Sequence, residues 1–263
     1  MTKKIACLGP QGTFTEKAAR KLFPEAELEF LQDVGEVFEY VDGGEGDGVV
    51  AVENSLEGSV GDTLEGLMEY DVKVTGETTL DISLCLMAKE GVKSEDVGFV
   101  LSHPHALGQC HRYIKENLPD AVEHATKSTA EAILEVADKV NAAAIGFKNS
   151  GLSKGLKVLA QDIQDRVSQT RFIAISKTAK TGPKTSIIFA VKDQPGALYS
   201  VLKVFSENNI NLTKIESRPS RRKLGEYNFY MDYENRGQNE EEIEKFLEGI
   251  SAYTTYLKYL GSY

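Results

Sequence analysis

At 263 residues with 41% apolar side chains, the chain is long for one hydrophobic core and is expected to fold as two or more compact units. A formal charge of −10 excludes an extended nucleic-acid surface, which needs a basic patch to displace counterions from phosphates. No run approaches the roughly 18 apolar residues of a membrane span, and the apolar stretch before Gly9 is too short for a signal-peptide core, so a cytoplasmic location is expected.

Apolar strands and amphipathic helices alternate from the start. A strand at residues 4–8, a helix at 14–23, a strand at 27–31, a helix at 34–41 and a strand at 48–52 give the pattern of a parallel sheet covered by helices. A helix from about residue 55 to 70 precedes a long extended stretch at 73–88, read as a crossing out of the first lobe. A second alternation follows at 99–101, 106–116, 122–125, 129–137 and 142–145, and the extended segments 158–163 and 172–176 return to the first lobe. The expected lobes are residues 1–75 with 160–176, and residues 76–159, hinged around a cleft. Residues 177–184 carry Gly182 and Pro183 without apolar periodicity and read as a linker. Residues 185–263 then give the order βαββαβ, the split ferredoxin-like arrangement.

Five polar turns fall where apolar strands end: residues 9–13, 53–55, 102–105, 127–129 and 170–172. A helix N-terminus presents unpaired N–H groups and partial positive charge, so several such ends converging on one cleft would hold a small dianion. Taken singly, Thr13, Asn54, Ser55, Ser128 and Thr129 read as N-caps, a role compatible with ligand binding. His103 and His105 flank Pro104 and read as structural, without the carboxylate or cysteine spacing of a metal site. Glu53, at the end of a buried strand, reads as a carboxylate paired to nearby N–H groups. Cys7, Cys85 and Cys110 sit in apolar contexts without paired spacing and read as buried thiols.

In order and spacing, Gly9-Pro10-Gln11-Gly12-Thr13-Phe14-Thr15, Val52-Glu53-Asn54-Ser55, Ser102-His103-Pro104-His105-Ala106-Leu107, Ser128-Thr129-Ala130-Glu131-Ala132 and Thr170-Arg171-Phe172 resemble the prephenate dehydratase family. Gly196-Ala197-Leu198 and Glu216-Ser217-Arg218-Pro219 resemble the ACT regulatory domain usually fused to it. The resemblance implies an α/β catalytic domain of the two-lobed periplasmic-binding-protein type (type 2), followed by a ferredoxin-like ACT domain. It implies conversion of prephenate to phenylpyruvate with loss of water and carbon dioxide, without cofactor or metal, and allosteric inhibition by L-phenylalanine. Thr170 and Arg171 are then the catalytic candidates, Thr170 as hydrogen-bond donor to the leaving hydroxyl and Arg171 as partner of the pyruvyl carboxylate. Thr13, Asn54, Ser55, Ser128, Thr129 and Phe172 are the substrate-binding candidates.

The same resemblance makes Gly196, Ala197, Leu198, Asn211, Glu216, Ser217 and Arg218 the effector-binding candidates. Asp193 is expected to cap the helix that Gly196 opens, and the effector pocket is expected where two ACT domains meet in a homodimer or homotetramer. Arg221, Arg222 and Lys223 read as a solvated charged turn. Two positions depart from the family pattern: Ser168 stands where Asn is common and His105 where Gln is common. Because the chain starts directly with the dehydratase's first strand, a separate enzyme is expected to supply prephenate. Arogenate dehydratase is the alternative within the enzyme class, and an amino-acid-sensing or solute-binding protein the alternative outside it.

Overall fold

The computed structural model describes residues 3–221 and 225–263, so Arg222 and Lys223 of the expected charged turn lie outside the described residues. The first sheet holds β1 (Lys4–Leu8), β2 (Glu27–Leu31), β3 (Asp47–Asn54), a two-residue β4 (Gly58–Ser59), β5 (Lys73–Ile82) and a later strand, β11 (Ser168–Ser176), in the order β2-β1-β3-β11-β5 with β4 beside β3. Helices α1 (Phe14–Leu22), α2 (Val34–Asp42) and α3 (Gly61–Glu69) cover it. Thr13 caps α1 and Asp33 caps α2, each side chain accepting from the N–H three residues on.

The second sheet holds β6 (Cys85–Ala88), β7 (Phe99–Ser102), β8 (Val122–Ala125), β9 (Ala142–Gly146) and β10 (Lys157–Ala160), in the order β10-β6-β9-β7-β8. Its helices are α4 (Pro104–Gln109), α5 (His111–Asn117), α6 (Thr129–Val136) and α7 (Lys148–Ser153). The strand β9 is AAAIG, and its first four residues are fully buried, which lets α6 pack close. The third sheet is formed by β12 (Lys184–Ala190), β13 (Leu212–Pro219), β14 (Tyr227–Glu234) and β15 (Tyr256–Ser262), ordered β13-β14-β12-β15 and antiparallel throughout, with α8 (Ala197–Glu207) and α9 (Glu240–Ser251) on one face. Among the described residues no helix is long and apolar enough to cross a membrane.

Three sequence expectations change. The first sheet is mixed, because β11 runs antiparallel to both β3 and β5. The first sheet also keeps the chain until Ile82, beyond the expected crossing near residue 75, while residue 160 still belongs to the second sheet. Finally, Ser55 starts no helix: residues 55–57 turn the chain into β4, and α3 begins only at Gly61.

The ACT-like sheet is buried on both faces. Ile187 and Phe189 point toward α8 and α9, whereas the intervening Ile188 joins Val52, Leu64, Val74 and Ile173 of the first lobe in one continuous core with Tyr230, Leu260 and Tyr263. The period of two along β12 therefore divides its side chains between two domains.

Candidate active site

Where the two sheets face each other, a cleft of about 370 Å³ is walled by Thr13, Phe14, Ala51, Asn54, Thr170 and Phe172 from the first lobe and by His103, His105, Lys127, Ser128, Thr129 and Phe147 from the second. The lobes touch at its rim. Ser150 Oγ donates to the Gly12 carbonyl at 2.5 Å, the Phe14 and Phe147 rings meet edge to face with centroids 4.2 Å apart, and Glu57 reaches across to His105 Nδ1 at 3.1 Å and Gln109 Nε2 at 3.1 Å.

At the floor of the cleft lies a hydrogen-bond relay with a defined direction. Asn54 Oδ1 accepts from the backbone N–H groups of Leu56 at 2.9 Å and Glu57 at 3.2 Å, so the amide nitrogen must face the other way. That nitrogen donates to Thr170 Oγ1 at 2.9 Å and to Ser168 Oγ at 3.0 Å. The Thr170 oxygen is thereby occupied as an acceptor, and its own proton remains to be donated. Thr170 and Ser168 are both buried, whereas Asn54 is partly open to the cleft.

Phe14 and Thr15 open α1, and Thr129 and Ala130 open α6, so their backbone N–H groups stand in first turns that contain no intrahelical acceptor. Ser128 caps α6 through the Glu131 N–H at 3.0 Å. Lys127, immediately before that cap, adds an ammonium to the same wall. Ile82, Leu84, Phe147 and Phe172 add apolar surface to the same cleft. The cleft thus offers donors for a carboxylate that keeps its charge and apolar side chains for a group that loses it.

Of the expected site residues, Thr13, Asn54, Ser128, Thr129, Thr170 and Phe172 line the cleft. Ser55 does not; its hydroxyl accepts from the Gln169 N–H at 2.9 Å and ties the turn to β11. Thr170 lies within a strand, so the expected polar turn at residues 170–172 is replaced by strand alternation, and Arg171 points to the opposite face from Thr170. Its guanidinium is partly buried against the ACT-like sheet, with Nε donating to Glu77 at 2.6 Å, Nη1 to Asp232 at 2.6 Å and Nη2 to the Tyr263 hydroxyl at 2.8 Å. Arg171 is therefore corrected from a substrate-carboxylate partner to an interdomain residue. Burial works against its charge, but Asp232, Tyr263 and Glu77 outweigh that and raise its pKa further.

Glu57, Lys127 and Phe147 are among the cleft residues that the sequence reading left without a role. Lys127 stood beside Ser128-Thr129 in a recognised turn and was legible there, whereas Glu57 and Phe147 face the cleft only because of how β4 and the end of β9 place them. His103 accepts from the His105 N–H at 3.3 Å as the N-cap of α4, a structural role that leaves its ring at the cleft wall.

The effector candidates separate within one chain. Gly196, at φ 82°, is itself the N-cap of α8, so Asp193 is not the expected cap. Ala197 and Leu198 form the first turn of α8. Glu216 and Arg218 lie farther along the edge strand β13 and pair with each other at 3.0 Å; Glu216 also meets Ser59 and Lys214. Ser217 alternates to the exposed face of β13. Asn211 sits at the other end of β13, donating to Glu234 at 3.1 Å. Arg221 of the expected solvated turn is an exposed partner of Glu65 on α3.

A family model described as Prephenate dehydratase matches residues 5–180. The chain belongs to the prephenate dehydratase family. A model described as ACT domain matches residues 185–248. A curated Prephenate dehydratase from Methanocaldococcus jannaschii is 42% identical over 277 residues, covering 100% of this chain and 98% of the relative. The Arogenate dehydratase/prephenate dehydratase 2 of Arabidopsis thaliana is 34% identical over 278 residues, covering 99% of this chain and 72% of that relative. The solved prephenate dehydratase of Arthrobacter aurescens, in complex with L-Phe, shares 32% identity and a TM-score of 0.89, covering 98% of this chain and 89% of that one. Family membership thus extends to both the cleft and the sheet docked behind it.

Proposed function

We propose that the cleft converts prephenate to phenylpyruvate and that the ACT domain inhibits this reaction when it binds L-phenylalanine. The observation that carries the reading is the fixed orientation of Asn54, which leaves the Thr170 hydroxyl as a directed donor. In the reaction the bond from the ring to its carboxylate breaks, and the electron pair enters the ring. The ring carbon–oxygen bond breaks at the opposite position, and its pair goes to the departing oxygen, which takes a proton and leaves as water. Aromatisation drives both cleavages, and one proton is taken up per turnover.

Hydroxide is a poor leaving group, and a donor placed on it contributes typically about 10²- to 10⁴-fold. Thr170 supplies that hydrogen bond or relays the proton, in a site where Phe14, Phe147 and Phe172 exclude water and strengthen fixed dipoles. The ring carboxylate is assigned to apolar lining such as Ile82, Leu84 and Phe172, beside which losing its charge is favoured over keeping it. The pyruvyl carboxylate lies toward Lys127 and the start of α6, with Ser128 and Thr129 as further donors.

Purified protein given prephenate should form phenylpyruvate, read by its absorbance in alkali, and L-phenylalanine should suppress the rate. Absence of product with folded protein would contradict the reading. One feature favours arogenate as a second substrate: the Glu57 carboxylate at the cleft is a partner for that compound's ammonium group. Rates on both substrates measured side by side decide between them.

For the effector, pairing of edge strand β13 with its two-fold copy in an antiparallel dimer would bring one chain's Asn211 toward the other's Ser217 and Arg218. The Ala197 N–H is taken by the Gln194 carbonyl at 3.2 Å, so the first-turn N–H groups of Leu198 and Tyr199 are the ones that suit the effector's α-carboxylate.

A further inference from the structure

The two residues that build the relay at the floor of the cleft each have an immediate neighbour that grips the ACT domain. Asn54 and Thr170 are strand partners on β3 and β11, and so are Glu53 and Arg171. Alternation sends the first pair into the cleft and the second pair to the opposite face. There Arg171 is held by Asp232 and Tyr263 of the ACT sheet, and Ser186 on β12 bonds both of these, at 2.5 Å to Asp232 and 2.7 Å to Tyr263. Lys184 and Arg171 share Glu77 from β5. Glu53 meets Lys214 of β13 at 2.9 Å, and Lys214 reaches Ser59 at 2.7 Å and Glu216 at 3.5 Å. Arg171 and Glu53 approach each other at 3.8 Å, which closes the two chains of contacts into one network.

The geometry points to Arg171 and Glu53 as positioning residues that couple the ACT sheet to the Thr170–Asn54 relay. Asp232 on β14 and Tyr263 after β15 hold Arg171, whereas Lys214 on β13 holds Glu53, so a shift of the edge strand β13 relative to β14 changes the pull on Glu53 first. Such a shift would tilt β3 against β11 and lengthen the Asn54–Thr170 hydrogen bond. A misplacement of that size acts on turnover more than on substrate binding, because the donor is used in the transition state. The effector part of this inference rests on the proposed phenylalanine response; the coupling to Thr170 does not.

A double-mutant cycle between Asp232→Asn and Thr170→Ala tests it, with Tyr263→Phe as a gentler second variant at the same guanidinium. In the wild-type background each interface variant should lower kcat by about tenfold with KM within about twofold. In the Thr170→Ala background the same variants should change kcat by less than about twofold, because the group they position is gone. Equal losses in both backgrounds, or no loss in either for folded variants, would overturn the coupling. In a second arm, calorimetry should show the interface variants binding L-phenylalanine as wild type does while maximal inhibition falls several-fold. Undiminished inhibition in both variants would overturn the transmission role. A wild-type enzyme that ignores phenylalanine would count against the effector reading alone, since the cycle reads the coupling without it.

Discussion

Asn54 and Thr170 show how one amide sets the direction of a proton donor. Replacing Asn54 by Asp keeps the acceptor for the Leu56 and Glu57 N–H groups but removes the donor to Thr170 and adds a charge beside it. Asn54→Asp should therefore lower kcat by about 10²- to 10³-fold, the scale of removing one oriented donor, with a smaller change in KM. Steady-state kinetics on prephenate check this. The thiols give a second test at this scale. Burial pushes Cys7 up to about 11 and Cys110 up to about 12, and raises Cys85 as well. A disulfide reagent at pH 8 should titrate none of these thiols in the folded protein and all of them after denaturation. Rapid labelling of native protein would show that these sites open. The sequence made Asn54 and the helix-capping hydroxyls visible as polar turns where apolar strands end, and gave Thr170 its catalytic candidacy through the family resemblance of Thr170-Arg171-Phe172. It did not assign the faces within Thr170-Arg171-Phe172: the triplet was read as a polar turn leading into the extended segment 172–176, and only its place inside β11 sends Arg171 away from Thr170 and Phe172.

At the scale of elements, the alternation of strands and helices made the layers legible, but direction and register were not. The antiparallel course of β11 depends on a return from the second lobe that no local pattern encodes, and the β4 hairpin hid behind a run that reads as helix from residue 55. The last strand carries a test of docking. Gly261 has φ 123°, and a Cβ there would lie 2.5 Å from the Val74 carbonyl on β5. Gly261→Ala should separate β15 from β5, lowering the melting temperature and exposing the interface to limited proteolysis near the 177–184 segment. An unchanged melting curve would contradict the close approach.

The same interface carries a pH signature. Burial alone would raise the Glu77 carboxyl, but Lys184 and Arg171 outweigh it and hold its pKa below the ordinary value. Such a carboxylate stabilises the fold fully above its unfolded pKa, about 4.3, and the contribution is lost as pH falls through the lowered folded value. Urea denaturation should show Glu77→Gln less stable than wild type at pH 7, with the gap narrowing at pH 3.5. A gap that stays constant would exclude this origin.

Taken whole, the chain is a two-lobed catalytic body with an ACT sheet docked across the back of the first lobe. Strands β3 and β11 therefore serve as a wall of the cleft on one face and as the seat of the ACT domain on the other. Such a sandwich was not legible from the sequence, where residues 177–184 read as a linker between independent units. The apolar Ile188, Tyr230, Leu260 and Tyr263 acquire their second role only when that sheet folds back. The edge of β13, with Ile215 45% exposed, is where the proposed pairing with a second copy would form.

The relay at Thr170 is tested most directly by Thr170→Val, which keeps the branched shape and removes the hydroxyl. Single-turnover formation of phenylpyruvate should slow by at least about 10²-fold, while substrate affinity and the melting temperature stay near those of wild type. A rate within about twofold of wild type would show that the departing water takes its proton elsewhere.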